Sequence, residues 1–214
     1  MRGARPFPLV VAAPSGAGKT SLARALLEAR SDLVFSVSVT TRERRPHETD
    51  GVDYTFVDDD EFDALIEAGE LVEWAVVHDA RYGTTRRAIQ SALDDGRVVV
   101  LDIDIQGAKA IRERFEEAVL VFVLPPSGDE LARRLAGRGS EAEAERRRRL
   151  RNARDELPSA PGFDYVVVND DFDAGVAALG AIVDAELRRV PRQAALEEAL
   201  RRIDTQIAGI LEED

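Results

Sequence analysis

The sequence predicts an α/β protein in which a parallel sheet is flanked by helices, and three observations carry that prediction. Continuous apolar runs recur at residues 7–13, 97–103, 118–124 and 165–168. They do not alternate with polar residues, which suits strands covered on both faces of a parallel sheet. Helical periodicities lie between them, at about residues 18–30, 107–115, 128–137, 141–157 and 172–189. Strands that alternate with helices imply right-handed crossovers and a layered sandwich.

The first run follows Arg2 and Arg5, so the N-terminus has the outline of a signal peptide. The run is too short for that and leads straight into Pro14-Ser15-Gly16, so it reads as the first buried strand of a cytoplasmic protein. The chain of 214 residues accommodates one large core with smaller insertions. No apolar stretch approaches the ~18 residues of a membrane-spanning helix. With no Cys and only His47 and His78, thiolate and multi-histidine metal sites are excluded, so any metal must sit on oxygen ligands. The net charge of −12 argues against nucleic-acid or anionic-membrane partners. Of 29 basic residues only Lys19 and Lys109 are Lys, and a Lys that persists among so many Arg invites a chemical reason.

Two segments break the alternation. Between Pro46 and Ala80 there is no Lys or Arg, and eleven acids fall between Pro46 and Glu73, around short strand-like pieces such as 53–57. That is the composition of an inserted α+β subdomain. Between Arg133 and Arg154 nine Arg fall in 22 residues, which in an acidic chain suggests an anionic ligand. The expected organisation is therefore a core made of 1–35, 85–125 and 160–190, with insertions at 36–84 and 126–159 and a tail at 191–214. In the tail, Leu196, Leu200, Ile203, Ile207 and Ile210 form one apolar stripe. Docking on its own domain is the expectation, with a short self-association seam as the other reading.

After the first strand comes Ala13-Pro14-Ser15-Gly16-Ala17-Gly18-Lys19-Thr20-Ser21, opening a helical segment. A Gly-rich turn lets successive backbone N–H groups point at phosphate oxygens, and the helix N-terminus adds its positive dipole end. Lys19 can reach the β- and γ-phosphates, and the Thr20 hydroxyl can ligate Mg²⁺. A strict phosphate-binding loop has Gly where Ala13 stands. A metal-ordering acid is needed at a neighbouring strand end, and Asp102 closes the run 98–102, with Asp104 two residues on, on the same face of an extended chain.

The segment Ser36-Val37-Ser38-Val39-Thr40-Thr41-Arg42-Glu43-Arg44-Arg45-Pro46, followed by Gly51-Val52-Asp53-Tyr54, gathers hydroxyls, arginines and a tyrosine suited to a second phosphate. Together with Leu71-Val72-Glu73-Trp74-Ala75, Tyr82-Gly83-Thr84, residues 101–107, Pro125-Pro126-Ser127 and Arg138-Gly139, in this order, it closely resembles guanylate kinase, from about residue 9 to residue 185. One departure is His47, where the family has Gly.

The resemblance implies a P-loop kinase core, a GMP-binding subdomain at 36–84 and an Arg-rich lid at 126–159. It implies reversible Mg²⁺-dependent transfer of the γ-phosphoryl group of ATP to GMP, and to dGMP, within purine nucleotide metabolism. By resemblance, residues 14–21 and Asn169 bind ATP, and Lys19, Arg42, Arg134, Arg138 and Arg149 serve the transfer. Arg42, Arg45, Tyr54 and Tyr82 would hold the GMP phosphate, Ser38, Glu73, Thr84 and Asp104 would line the guanine pocket, and Thr20 and Asp102 would serve the metal. For Asn169, helix capping is the ordinary alternative, and for Arg146–Arg148 a solvated helix face. Guanine offers N1–H and its N2 amino group as adjacent donors, and a carboxylate such as Glu73 accepts both, whereas adenine lacks that pair. A non-catalytic binding module and a kinase for another small phosphorylated substrate are the competing readings. Oligomeric state is not legible.

Overall fold

A computed structural model describes residues 3–77, 79–136 and 143–212. Its larger sheet is wholly parallel, in the order β2 (Leu33–Phe35), β7 (Val98–Asp102), β1 (Pro8–Ala12), β8 (Val119–Leu124) and β9 (Tyr165–Val168). Alternate residues of each central strand enter different cores. Leu9, Val11, Val98, Val100, Val119, Val121 and Val123 join one cluster, while Val10, Val99, Leu101, Leu120 and Phe122 join the other. Both faces are apolar because both are covered, which is why these strands read as unbroken apolar runs. Leu22 and Leu26 of α1 (Lys19–Ala29) and Leu179 and Val183 of α7 (Phe172–Leu187) close the first face. Ile89 of α3 (Arg86–Asp94) and Ala108 and Ile111 of α4 (Ile105–Arg114) close the second. Phe122 is fully buried, so truncating it to Ala would cost about 3–5 kcal/mol.

The insertion after β2 folds as a second, four-stranded sheet. Its order is β4 (Thr55–Phe56), β3 (Val39–Thr40), β6 (Ala80–Thr85) and β5 (Leu71–Val77), with α2 (Asp59–Glu67) packed on it. A reciprocal capping box between Asp58 and Glu61 starts α2. The buried core is small, Val39, Phe62 and Leu71, and Arg114 of α4 ties the subdomain to the larger one by donating to the Leu71 carbonyl at 2.5 Å. The 53–57 piece contains only the two-residue β4. The Arg-rich insertion supplies α5 (Gly128–Ala136) and α6 (Glu143–Glu156), joined by a small cluster of Leu131, Leu135 and Ala153.

The tail departs from its expected docking. The last helix, α8 (Leu196–Glu212), has no buried residue, and Leu200, Ile203, Ile207 and Ile210 all face solvent. The chain before it is anchored instead. Arg192, itself buried, donates to Glu186 at 3.2 Å and to the Glu117 carbonyl at 2.9 Å, and its guanidinium lies 4.1 Å from the Phe7 ring centroid. Among the described residues of the tail Arg192 alone is buried, and the stripe after it is uncovered. Among the described residues, no helix is long and apolar enough to cross a membrane.

Candidate active site

The C-terminal ends of the parallel strands face a cleft of about 900 Å³ between the two sheets, as open α/β sheets favour for ligands. One wall carries Lys19, Thr20, Asp102 and Asp104, and the other carries Ser38, Arg42, Arg45, Tyr54, Glu73 and Tyr82. Residues far apart in sequence thus meet because the loops after β1, β2 and β7 emerge on one edge.

The loop after β1 turns through Gly16 and Gly18, at φ 93° and 94°, a region that side chains disfavour. Space is short as well as conformation. A Cβ on Gly18 would lie 2.3 Å from Asn169 Nδ2, and one on Gly16 would lie 2.8 Å from Leu135. Asn169 is 6% exposed and donates from Nδ2 to the Ala17 carbonyl at 2.8 Å. Its side chain braces the loop and does not cap α7, which Asp171 caps through the Ala174 N–H. Arg134 of α5 donates to the Asn169 carbonyl at 2.9 Å and to Glu130 at 2.6 Å. Ala13 replaces glycine without strain, since it packs on the core and Asp79 alone among the described non-glycine residues has a positive φ. His47 is exposed on the cleft rim, also outside that strained region.

Lys19 begins α1 and its ammonium pairs with Asp102 Oδ1 at 2.5 Å while donating to the Ile103 carbonyl at 2.8 Å. Asp102 therefore ends β7 facing the lysine. Asp104 does not continue the strand, because the chain turns there and its Oδ1 caps α4 through the Gly107 N–H at 2.7 Å. Arg149 of α6 donates to the Ser15 hydroxyl at 2.8 Å. Glu156, at the end of the same helix, faces the Ser15 amide, and burial pushes its carboxyl above the ordinary range. Thr20 and Ser21 are exposed on the first turn of α1. Arg138 lies outside the described residues. Arg146 and Arg147 pair with Glu143, and Arg148 with Glu145, which is the expected solvated face.

On the opposite wall, Arg42 is held from two sides. Its Nη2 donates to Glu48 Oε1 at 2.8 Å and its Nε donates to the Tyr82 hydroxyl at 3.2 Å. The Arg45 amide donates to Glu48 Oε2 at 2.9 Å, so one carboxylate fixes both the side chain and the turn. The Arg42 guanidinium holds the Glu48 carboxyl below its usual range. Tyr54 meets Tyr82 edge-on at 5.9 Å and lies 5.4 Å from the Arg42 guanidinium, and burial raises its hydroxyl pKa. Sequence reasoning missed Glu48, which reads as one acid in an acidic stretch. The only available signal is its place three residues after Arg45 in a turn.

Glu73 is the acid at the bottom of this wall. Burial raises its carboxyl above the ordinary range, and the Thr84 hydroxyl, donating to Oε1 at 2.5 Å, opposes that shift. Thr84 is fully buried and is not among the residues lining the cleft, so it sits behind Glu73 and fixes its carboxylate. A Cβ on Gly107 would lie 3.2 Å from Glu73 Oε2, so α4 approaches the carboxylate as closely as glycine allows. A partly desolvated carboxylate with one oxygen fixed can accept from a donor pair.

A family model described as Guanylate kinase matches residues 5–186. The guanylate kinase of Chromohalobacter salexigens is 50% identical over 183 residues, 86% of this chain and 85% of that protein. The guanylate kinase of Thermotoga maritima is 42% identical over 200 residues, 94% of this chain and 95% of that protein. Among solved structures, guanylate kinase from Anaplasma phagocytophilum superposes with a TM-score of 0.74 at 37% identity, over 94% of this chain and 96% of that one. The family model and these relatives cover most of the sequence, and the chain belongs to the guanylate kinase family.

Proposed function

We propose that this protein transfers the γ-phosphoryl group of ATP to GMP, and to dGMP, reversibly, giving ADP and GDP or dGDP. The observation that carries the reading is the sharing of one cleft by Lys19 and Glu73, a phosphate-reaching ammonium and a guanine-reading carboxylate. ATP would lie on residues 14–21, its phosphates against the loop amides and Lys19. Arg42, Arg45, Tyr54 and Tyr82 would hold the GMP phosphate, while Ser38, Glu73 and Asp104 would face the base with Thr84 fixing Glu73. Arg134 and Arg149, already beside the loop through Ala17, Asn169 and Ser15, are suited to offset charge on the transferring group, with Arg138 as a further lid arginine.

A GMP phosphate is already an anionic nucleophile, so no covalent intermediate or strong general base is required. Catalysis is alignment and charge compensation. The 36–84 and 126–159 segments would close on the substrates and exclude water.

The oxygen donors of Thr20 and Asp102 at the cleft fit Mg²⁺, and no cluster of three or more metal-ligating side chains occurs among the described residues. That donor set suits an ion held chiefly by substrate phosphates and water. Bound there, Mg²⁺ would neutralise charge on the ATP phosphates. Lys19, now on Asp102, would exchange that partner for phosphate oxygens.

A panel of GMP, dGMP, AMP, UMP and CMP tests the reading through ADP release at fixed ATP. GMP and dGMP should turn over at least about 100 times faster than AMP, the discrimination expected when a buried acceptor loses its donors. Equal use of AMP would overturn it.

A further inference from the structure

We infer that Arg24 is a further ligand of the acceptor phosphate, reaching it from the core wall of the cleft. The inference rests on the reading of that cleft as the place where ATP and GMP meet. Thr20, Arg24 and Glu28 follow one another at steps of four along α1, so they share one helix face, and all three line the cleft. Leu22, Ala23 and Leu26 of the same helix are buried in the larger core, which fixes where Arg24 stands. At 1.5 Å of rise per residue, Arg24 lies about 6 Å farther along the axis from the phosphate loop than Thr20 does. Tyr54 shows what it faces there. Burial raises the Tyr54 hydroxyl pKa, and Arg42 from its own side and Arg24 from across the cleft both oppose that rise. Two cations on opposite walls thus act on one hydroxyl of the acceptor cluster.

The charge of Arg24 sets it apart from its neighbours. Lys19 is paired with Asp102 at 2.5 Å and Arg42 with Glu48 at 2.8 Å, so each pair is close to neutral. Arg24 is exposed and has no hydrogen-bond or ion-pair partner among the described residues. An exposed helical arginine ordinarily settles on an acid one turn away, and although Glu28 stands in that place the two do not pair.

A phosphate monoester carries close to two negative charges at pH 7. The Arg42–Glu48 pair and one further cation, Arg45, leave part of that charge without a counterpart. Arg24 supplies it, and its planar fork can span two phosphate oxygens while the third is left to attack. Arg24 belongs to the core, whereas Arg42, Arg45, Tyr54 and Tyr82 belong to the inserted subdomain. A phosphate held from both sides therefore ties GMP binding to closure of the subdomain.

Saturation with GMP at fixed ATP, measured on the full chain as parent, Arg24→Met and Arg24→Lys, reads the contact. Arg24→Met keeps the apolar stem and removes the fork. It is expected to raise KM for GMP about 10–100-fold, the loss of a hydrogen bond to a charged group, while KM for ATP stays within about twofold. Its melting temperature should be parental, since Arg24 is exposed and unpaired. Arg24→Lys should recover part of the loss, as a point charge without the fork. Guanosine, which lacks the phosphate, should inhibit parent and Arg24→Met alike. The inference is overturned if Arg24→Met has the parental KM for GMP, if it weakens ATP instead, or if it weakens guanosine as much as GMP. A parent that does not phosphorylate GMP would overturn the reading of the cleft and this inference with it. A parent that does, beside an Arg24→Met variant that matches it, overturns the inference alone.

Discussion

The loop around Gly16–Lys19 and the turn around Arg42–Glu48, proposed to take the two phosphates, are held by different forces. The loop is fixed by backbone geometry and packing: two left-handed glycines, Leu135 against Gly16, and Asn169 against Gly18. The turn is fixed by charge, with Glu48 bonded to the Arg42 side chain and the Arg45 amide. The loop sits on a sheet with a core on each face, the turn beside a sheet whose buried core is Val39, Phe62 and Leu71. Packing tolerates few changes but ignores salt and pH, whereas side-chain charge adapts to the ligand and responds to both. The contrast suits the proposed assignment of ATP to the packed loop and GMP to the charge-held turn.

The largest expected effect tests the donor side. Lys19→Ala should lower kcat by about 10³-fold, the upper range for removing one preorganised donor, read as ADP release with GMP. A variant within about tenfold of the parent would break the assignment of the loop.

On the acceptor side, Glu73→Gln should lower kcat/KM for GMP by about 10²–10³-fold, from two hydrogen bonds to a charged acceptor, while KM for ATP stays within about twofold. Equal damage to both substrates would remove the base-reading role.

Two glycines sharpen the comparison directly. Gly18→Ala combines a left-handed φ with a Cβ 2.3 Å from a bonded amide, and should cost about 2–3 kcal/mol in denaturant unfolding. Gly51, at φ 74° with nothing within 4 Å of its Cβ, should cost about 1–2 kcal/mol as Ala. Equal costs would mean that the loop is no more tightly packed than the subdomain turn.

The smallest effect is in pH. The Glu73 carboxyl is raised by burial, so its charged form is lost at a higher pH than an ordinary carboxylate loses it. KM for GMP should therefore climb several-fold as pH falls from 7 toward 5, beyond the climb shown by Glu73→Gln, which shares the titration of the GMP phosphate. Parallel profiles for parent and variant would show that Glu73 does not need its charge.

Much of the candidate site is legible in the sequence because its parts are local. Residues 13–21 are a strand end, a turn and a helix start in one stretch, and Ser38–Arg45 and Glu73 stand in motifs of their own. Glu48 was hidden because its role depends on a turn that folds it back onto Arg42. Thr84 and Asn169 are recognisable as site positions, yet their work, fixing a carboxylate and bracing a carbonyl, involves partners 11 and 152 residues away.

The sequence by itself determined the parallel α/β core, since strands buried on both faces must be apolar at every position, and it determined the phosphate loop, since glycine spacing dictates backbone reach. Tertiary structure decided the rest. It turned Asp104 from a strand residue into a helix cap, seated Lys19 on Asp102, and left the stripe of α8 in solvent where docking was expected. An amphipathic pattern specifies that a face must be covered, but only the arrangement of the other elements determines whether the same chain has a surface left to cover it.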